Sequence, residues 1–374
     1  VKIKLDGNND KIISNQLFSV LTSLIIGIGI LSLPRNLADK AGADSLVVLI
    51  IGSLIFMLIA NLIVTLVLKF PHSTIIEIGN YLMGKFVGKI LGIAYFIYIF
   101  MLAVIEARVV GEICKSFLLL TTPIEIIILS FLLVSAYTVR SGMETIARMA
   151  VILLPPSIIP ALLAMFIVLP DIDPTYFLPV LRTPPINLLK SIPEVGFSFL
   201  GFEFILFIAF FVKDYKNIRK VSNISIITVS IIYFLTVFIT IGRFGIEETR
   251  TLVWPVITLF KTINIPGTFL ENIEVIIMTT WLFSIFMTFT ISYYGAVFLL
   301  SRVIESKEHN YLAIPLLPLI YFCSLIPENV AQTYDLLGKY SYIGGTIFIV
   351  GIPILLLVMS IFKRKPKKEI KRNG

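Results

Sequence analysis

Cysteine, histidine and tryptophan are nearly absent, with two of each among 374 residues. Cys114 and Cys323 stand in separate apolar stretches, which excludes a disulfide framework and any Cys-rich metal spacing. Charge is scarce too, at 14% Asp, Glu, Lys and Arg, against about 25% in an ordinary soluble domain. With the acids scattered and histidine almost missing, the composition is poor ground for an enzyme, and neither a cofactor nor a bound metal is expected. Apolar residues fill the space: 57% are hydrophobic, 29 are Phe, 14 are Tyr, and the mean hydropathy is +0.97. That surplus exceeds what one water-facing surface can hide. Lipid is its natural solvent, and a soluble fold is excluded.

The net charge of +8 would suit nucleic acid, but its placement does not. Seven of the 31 Lys and Arg fall in the last twelve residues, Lys363 to Gly374, directly after an apolar segment and with no aromatic between them. The positive-inside rule and anionic headgroups favour such a run, whereas nucleic-acid stacking needs interleaved rings. Residues 363–374 therefore read as a basic cytoplasmic tail, residues 1–11 as a cytoplasmic N-terminus, and the bilayer rather than nucleic acid as the partner.

Apolar runs of bilayer length occur ten times: Ile12–Leu37, Ala43–Leu68, Gly88–Leu120, Ile124–Val139, Gly142–Leu169, Ile192–Val212, Ser222–Phe244, Ile273–Ser301, Leu312–Ile326 and Ile343–Phe362. Hydrocarbon requires internally paired backbone, and the runs are too long for barrel strands, so the fold class is an all-α helical membrane bundle. The first run follows Lys2, Lys4 and Lys11 as a signal peptide would, yet its core is too long and no small-residue cleavage site follows. The fourth has only 16 residues. Charge parity retains it: ten spans with both ends inside put 21 Lys and Arg inside and 9 outside, while dropping it throws the Lys213 to Lys220 cluster to the wrong face.

Ten spans divide into five plus five, 12–169 and 192–362 within one permease domain 12–362, and an odd number per half inverts the second half. Inverted repeats carry their ligand sites at broken helices in matching positions near the midplane. The first span contains Gly27-Ile28-Gly29-Ile30-Leu31-Ser32-Leu33-Pro34, and the sixth contains Gly196-Phe197-Ser198-Phe199-Leu200-Gly201-Phe202-Glu203. Single glycines in membrane helices usually serve close packing. Paired interruptions in corresponding spans favour a break that binds, because unwinding frees backbone groups and half-helix N-termini suit a carboxylate.

Three segments carry a family resemblance: Ser14-Asn15-Gln16-Leu17-Phe18, then Gly27 to Pro34, then Arg35-Asn36-Leu37-Ala38-Asp39-Lys40-Ala41-Gly42-Ala43-Asp44. Together they resemble the opening of the spore-germination permease family, the membrane B subunits of bacterial germinant receptors, within the amino acid-polyamine-organocation transporter superfamily. The resemblance implies a LeuT-like permease fold with broken first and sixth helices, a small nutrient ligand, an amino acid first among candidates, and A and C subunits as partners. It also implies the inner membrane of a spore as location. In that fold the eighth span lies beside the first and can supply hydroxyls to a sodium ion, so coupling to H⁺ or Na⁺ stays open.

Ionisable groups at membrane depth need partners. Arg108 and Glu112, four apart, can pair along one helix face, and with Glu106 they form a candidate buried charge network. Glu203 has no partner in its own span and is a candidate for a ligand amine or a proton. Thr280, Ser284, Thr288 and Ser292 are spaced by four and form one polar stripe on the eighth span. The candidate substrate-binding set is Gly27, Ile28, Gly29, Ile30, Ser198, Gly201, Glu203, Thr280, Ser284 and Thr288. The ligand carboxylate is expected at the backbone N–H groups of 27–30 and the amine at carbonyls of 198–201, with Phe197, Phe202 and Tyr98 as candidate walls. An H⁺- or Na⁺-coupled amino-acid transporter and a ligand-gated water or ion conduit remain the alternatives to a receptor.

Pro155, Pro156 and Pro160 are expected to kink the fifth span. Residues 75–86 are expected as an interfacial helix, 251–263 as an outer lid or amphipathic segment and 170–193 as an extracytoplasmic loop. The ten-span reading predicts that cysteines placed in 213–220 and 363–374 are labelled from one side and those in 170–190 and 245–270 from the other. Labelling of 213–220 from the side opposite the tail would refute it.

Overall fold

The structure, a computed structural model, describes residues 10–181, 183–263, 273–306 and 308–363. The basic tail beyond Lys363 and the N-terminal Lys2 and Lys4 lie outside the described residues. No strand occurs among them, only one bridge between Ile12 and Val212.

The helices are α1 (Ser14–Ile26), α2 (Gly29–Ala41), α3 (Ser45–Lys69), α4 (Ile75–Met83), α5 (Lys85–Phe117), α6 (Ile124–Arg140), α7 (Met143–Val168), α8 (Pro185–Ser198), α9 (Ile205–Ile208), α10 (Ile218–Thr251), α11 (Pro255–Lys261), α12 (Ile273–Val303), α13 (Ala313–Ser324), α14 (Val330–Lys339) and α15 (Ile352–Phe362). Six stretches are long and apolar enough to cross a bilayer alone, and Pro185–Ser198 with Phe202–Phe211, bent by 53°, makes a seventh. The ten-span arrangement comes from helices that length alone passes over. The first span is split into α1 and α2, α6 has 17 residues and α13 has 12.

Sorting between lipid and core follows helical spacing. On α3, Leu54, Leu58 and Leu62 are exposed at intervals of four, while Phe56, Ala60, Ile63 and Val67 are buried. Central α12 keeps Ile285, Phe289, Tyr293 and Ala296 fully buried and packs against α1, α5, α6 and α7. Small residues bring the layers close. A Cβ on Gly52 would lie 2.7 Å from Val195, which seats α8 against α3.

Several boundaries differ from the hydropathy reading, each for a local reason. The sixth span begins at Pro185 rather than Ile192, since proline suits a first helical turn, whereas Lys190 and Pro193 lower the apolar average. The tenth begins at Val330 rather than Ile343. Asn329 caps it by accepting from the Gln332 N–H at 2.9 Å, and the chain continues through a π-helical run, Tyr340–Gly351, into α15. The seventh extends to Thr251 past a non-helical Gly245. The fifth, α7, remains helical through all three prolines. The interfacial helix α4 starts on a Thr74–Glu77 capping box and ends at Gly84 (φ 91°). The segment before α1 is tied to the end of the sixth span: Ile12 N–H donates to Phe211 O and Lys213 N–H to Ile12 O, both at 2.9 Å.

Gly88 sets the corner between α4 and α5, because a Cβ there would lie 2.7 Å from Asn80 Cα and run into the Asn80 backbone N. Gly88→Ala should destabilise the protein by about 1–3 kcal/mol, as overpacking does, and lower the thermal midpoint in detergent. An unchanged midpoint would mean that the α4 docking yields freely.

Candidate functional site

The first span loses its helix at Gly27 and Ile28 and resumes at Gly29. The sixth stops at Ser198 and turns through Phe199 to Gly201, whose φ of +104° is the left-handed region that favours glycine. The two breaks face each other. A Cβ on Gly29 would stand 2.9 Å from Ser198 Cα, and one on Gly201 would stand 3.1 Å from the Leu24 carbonyl. Gly27 sits against the eighth span, where a Cβ would lie 3.1 Å from Thr288.

Breaking a helix orphans its last carbonyls, and hydrocarbon offers no water to satisfy them. Here side chains take over. The Tyr233 hydroxyl of α10 lies 2.6 Å from Ile25 O and 2.7 Å from Ser198 O, so one donor is shared by the ends of both half-helices. Thr288 Oγ1 lies 2.9 Å from Ser23 O. Glu203 clasps its own loop, accepting from the Gly201 N–H at 2.9 Å on one oxygen and from the Tyr98 hydroxyl at 2.7 Å on the other. Tyr98 is in turn stacked between Tyr340 (4.9 Å) and Phe348 (4.4 Å) of the tenth span, and the Tyr340 hydroxyl donates to Tyr98 O at 3.1 Å.

Between the breaks lies a cavity of about 20 Å³, bordered by Gly29, Leu102, Glu106, Ser198, Leu200 and Thr288, with Phe197 and Leu337 at one end. That is room for roughly one water. Several buried polar atoms around the breaks have no hydrogen-bond partner in the protein: Glu106 Oε2, Ser198 Oγ, Ser23 Oγ and Thr22 Oγ1. In a native interior each such atom calls for an explanation, and a ligand or ordered water is the usual one.

The geometry distributes the expected residues unevenly. Gly27, Ile28, Gly29, Ser198, Gly201 and Thr288 meet around the two breaks, and Ile30 follows in the first turn of α2. Glu203 is buried nearby, but both its oxygens are engaged and it does not border the cavity. Thr280 is remote, half-buried and bonded to carbonyls of its own helix, while Ser284 is buried one turn from Thr288 without bordering the cavity. The expected charge network divides in two. Arg108 binds Glu112 at 2.5 and 2.9 Å, whereas Glu106 turns to the cavity with Ser292 of α12 as its hydrogen-bond neighbour. Phe197 borders the cavity, Phe202 packs on Phe56, and Tyr98 holds Glu203. Leu102, Leu200 and Tyr233 were not singled out by sequence. Only Tyr233 carries a signal there, a hydroxyl in the middle of an apolar run. Among the described residues no group of three or more His, Cys, Asp and Glu could hold a metal ion.

Comparison with known proteins gives a consistent picture. Residues 11–333 match the family model described as spore germination protein. Spore germination protein YndE of Bacillus subtilis is 28% identical over 359 residues, covering 96% of this chain and 98% of that protein. Spore germination protein A2 of the same organism is 29% identical, with coverage of 94% and 95%, and GerLB of Bacillus cereus is 27% identical, with 96% of each. Among solved structures, that of MhsT in complex with L-phenylalanine superposes with a TM-score of 0.68 at 12% identity, over 93% of this chain and 97% of that one, a likeness of fold.

Tyr233→Phe removes the donor shared by Ile25 and Ser198 while keeping the ring. We expect a loss of about 1–3 kcal/mol, as for a buried acceptor left unpaired, read as a lowered unfolding midpoint. Tyr137→Phe, at a ring 79% exposed on the outer surface, should change nothing. Equal effects at both positions would remove Tyr233 from its bridging role.

Proposed function

This chain belongs to the spore germination protein family, and from that premise we propose that it is the membrane B-type subunit of a germinant receptor. It binds a small zwitterionic nutrient, an amino acid, between the two helix breaks. It assembles with A- and C-type subunits in the inner membrane of the spore, with both chain ends on the cytoplasmic side. The observation that carries this reading is Glu106. Its carboxylate is 1% exposed, borders the inter-break cavity and keeps one oxygen without a partner.

The electrostatics of the breaks suit a zwitterion. The N-terminus of α2 at Gly29 presents the positive end of its dipole, favourable for a carboxylate, and the C-terminus of α8 at Ser198 presents the negative end, favourable for an ammonium group. Glu106 adds a full acceptor beside that negative end. This moves the amine partner from Glu203, whose oxygens serve Tyr98 and Gly201, to the third span. Leu102 and Leu200 border a cavity of only about 20 Å³, which favours ligands near the size of glycine and alanine.

Sensing and transport both need this cavity and differ in whether the ligand is released on the far side. Coupling to H⁺ or Na⁺, or conduction along Thr288 and Ser292, belongs to the rival readings. The test is radiolabelled L-alanine with the full chain, binding in nanodiscs beside uptake into proteoliposomes. Binding without uptake is expected. Glu106→Gln should weaken binding by at least about tenfold, in keeping with the loss of a charge-assisted hydrogen bond. Saturable uptake would establish the transporter instead, and unaltered binding by Glu106→Gln would remove Glu106 from the site.

A further inference from the structure

A second and larger cavity, about 380 Å³, lies directly beyond the central one. The two share Phe197 and Leu337, so these side chains form the partition between them. Residues 32–39 of α2 and Glu194 near the C-terminal end of α8 supply its polar wall, and Arg250 of α10, α14 and Ser341 of the π-helical run complete it. Its charges are not equally accounted for. Arg250 is engaged with Glu247 at 2.7 Å and the Ala38 carbonyl at 2.9 Å, and Asp39 lies 3.4 Å from Lys40. Arg35 and Glu194, from α2 and α8, make no hydrogen bond or ion pair with any described residue and do not reach each other; the charges of Lys40 and Asp39 act on Glu194 from farther than ion-pair distance. In the same wall Ser32 Oγ is unpartnered in a residue only 2% exposed.

Two opposite charges without a hydrogen-bonding partner on one basin, with an unpartnered hydroxyl in the same wall, are the complement of a molecule carrying both an anionic and a cationic end. A guanidinium binds a carboxylate through parallel N–H donors, and a carboxylate accepts from an ammonium group. We propose that this basin is a second binding site, for zwitterionic α-amino acids, in which Arg35 takes the ligand carboxylate, Glu194 the ammonium and Ser32 a further hydrogen bond. The basin is many times larger than the central cavity, so it tolerates side chains that the space behind Phe197 and Leu337 excludes. It captures by the two charged ends and leaves discrimination of the side chain to the inner cavity. The inference rests on the reading of this chain as an amino-acid binder, but not on Glu106 or on the fit of the inner cavity.

The probe is therefore a bulky zwitterion, L-leucine, measured by equilibrium binding to the full chain in nanodiscs. L-Leucine should bind the wild type. Arg35→Gln and Glu194→Gln should each weaken it by about tenfold or more, and Arg35→Lys should recover part of the loss. With wild-type protein, where folding is not in question, L-leucinamide and N-acetyl-L-leucine each lack one charged end and should fail to displace L-leucine. No L-leucine binding would overturn the proposal. So would displacement by leucinamide as effective as by leucine, the behaviour of a hydrated vestibule, or binding lost in Glu106→Gln while intact in Arg35→Gln and Glu194→Gln. L-Alanine binding measured on the same variants keeps the two sites apart. A Glu106→Gln protein that binds alanine normally defeats the inner site alone, and a wild type that ignores leucine defeats the outer one alone.

Discussion

Everything at the centre of this protein follows from a single constraint: two helices are interrupted where no water is available, so each released backbone group must find a partner inside the fold. Tyr233 answers for Ile25 and Ser198 together, Thr288 for Ser23, and Glu203 for the Gly201 N–H. Tyr233 and Thr288 come from the seventh and eighth spans, so those carbonyls are held by the bundle, while Glu203 holds the turn of its own span and ties it to Tyr98 of the third. The same constraint makes the unpartnered atoms informative. Where the fold supplies side-chain donors to the carbonyls of Ser23, Ile25 and Ser198, Glu106 Oε2 and Ser198 Oγ stand out as acceptor and donor left for something else.

Glu203 gains a different role from this arrangement. Its carboxylate joins the Gly201 turn to Tyr98, and Tyr98 is sandwiched by Tyr340 and Phe348, both within the π-helical run of the tenth span. The Tyr95 hydroxyl adds a bond to Phe348 O at 2.8 Å. A π-helical run shifts its backbone hydrogen bonding by one residue and commonly marks functional positions. The sixth-span break and the tenth span thus share one set of rings and hydrogen bonds. A change in the break alters the contacts that seat the tenth span, a coupling through packed groups rather than through distance.

Much of this was legible in the sequence, and the remainder was not for physical reasons. Composition and run length gave the helical bundle, and the glycines of the first and sixth spans marked the stretches 27–34 and 196–203 within which both breaks fall, because a backbone that must approach Ser198 Cα or adopt φ +104° leaves its mark as Gly29 and Gly201. The Arg108–Glu112 pair followed from spacing along one helix. Glu106 and Glu203 could not be ranked, since both are single carboxylates in apolar runs, and which one is satisfied depends on Tyr98 and on the turn at Gly201, contacts between distant parts of the chain. The tenth span was shortened because Gln332, Asp335 and Lys339 lower the apolar average of a helix whose early turns are polar. The partition formed by Phe197 and Leu337 had no signal of its own, as an apolar side chain in an apolar span is unremarkable until two cavities lie on either side of it.

That partition also bears on how binding becomes a signal. A ligand shifts a conformational equilibrium only by the difference in its affinity for the two states. In the present state the inner cavity has room for about one water, so even a small amino acid requires Leu102, Leu200 or the breaks to move apart. A ligand that bound this state as well as the expanded one would produce no response at all. The free energy for expansion must come from groups that gain partners only then, and Glu106 Oε2 and Ser198 Oγ are unpartnered atoms of residues that border the cavity. The moving parts are bounded by Tyr233, which grips both half-helix ends, and by Glu203, which grips the turn. Expansion therefore lengthens bonds to Tyr233 or carries the Gly201 turn, and with it Tyr98, toward the tenth span. The second course keeps the Ile25 carbonyl paired with Tyr233, and in hydrocarbon that makes it the less costly of the two.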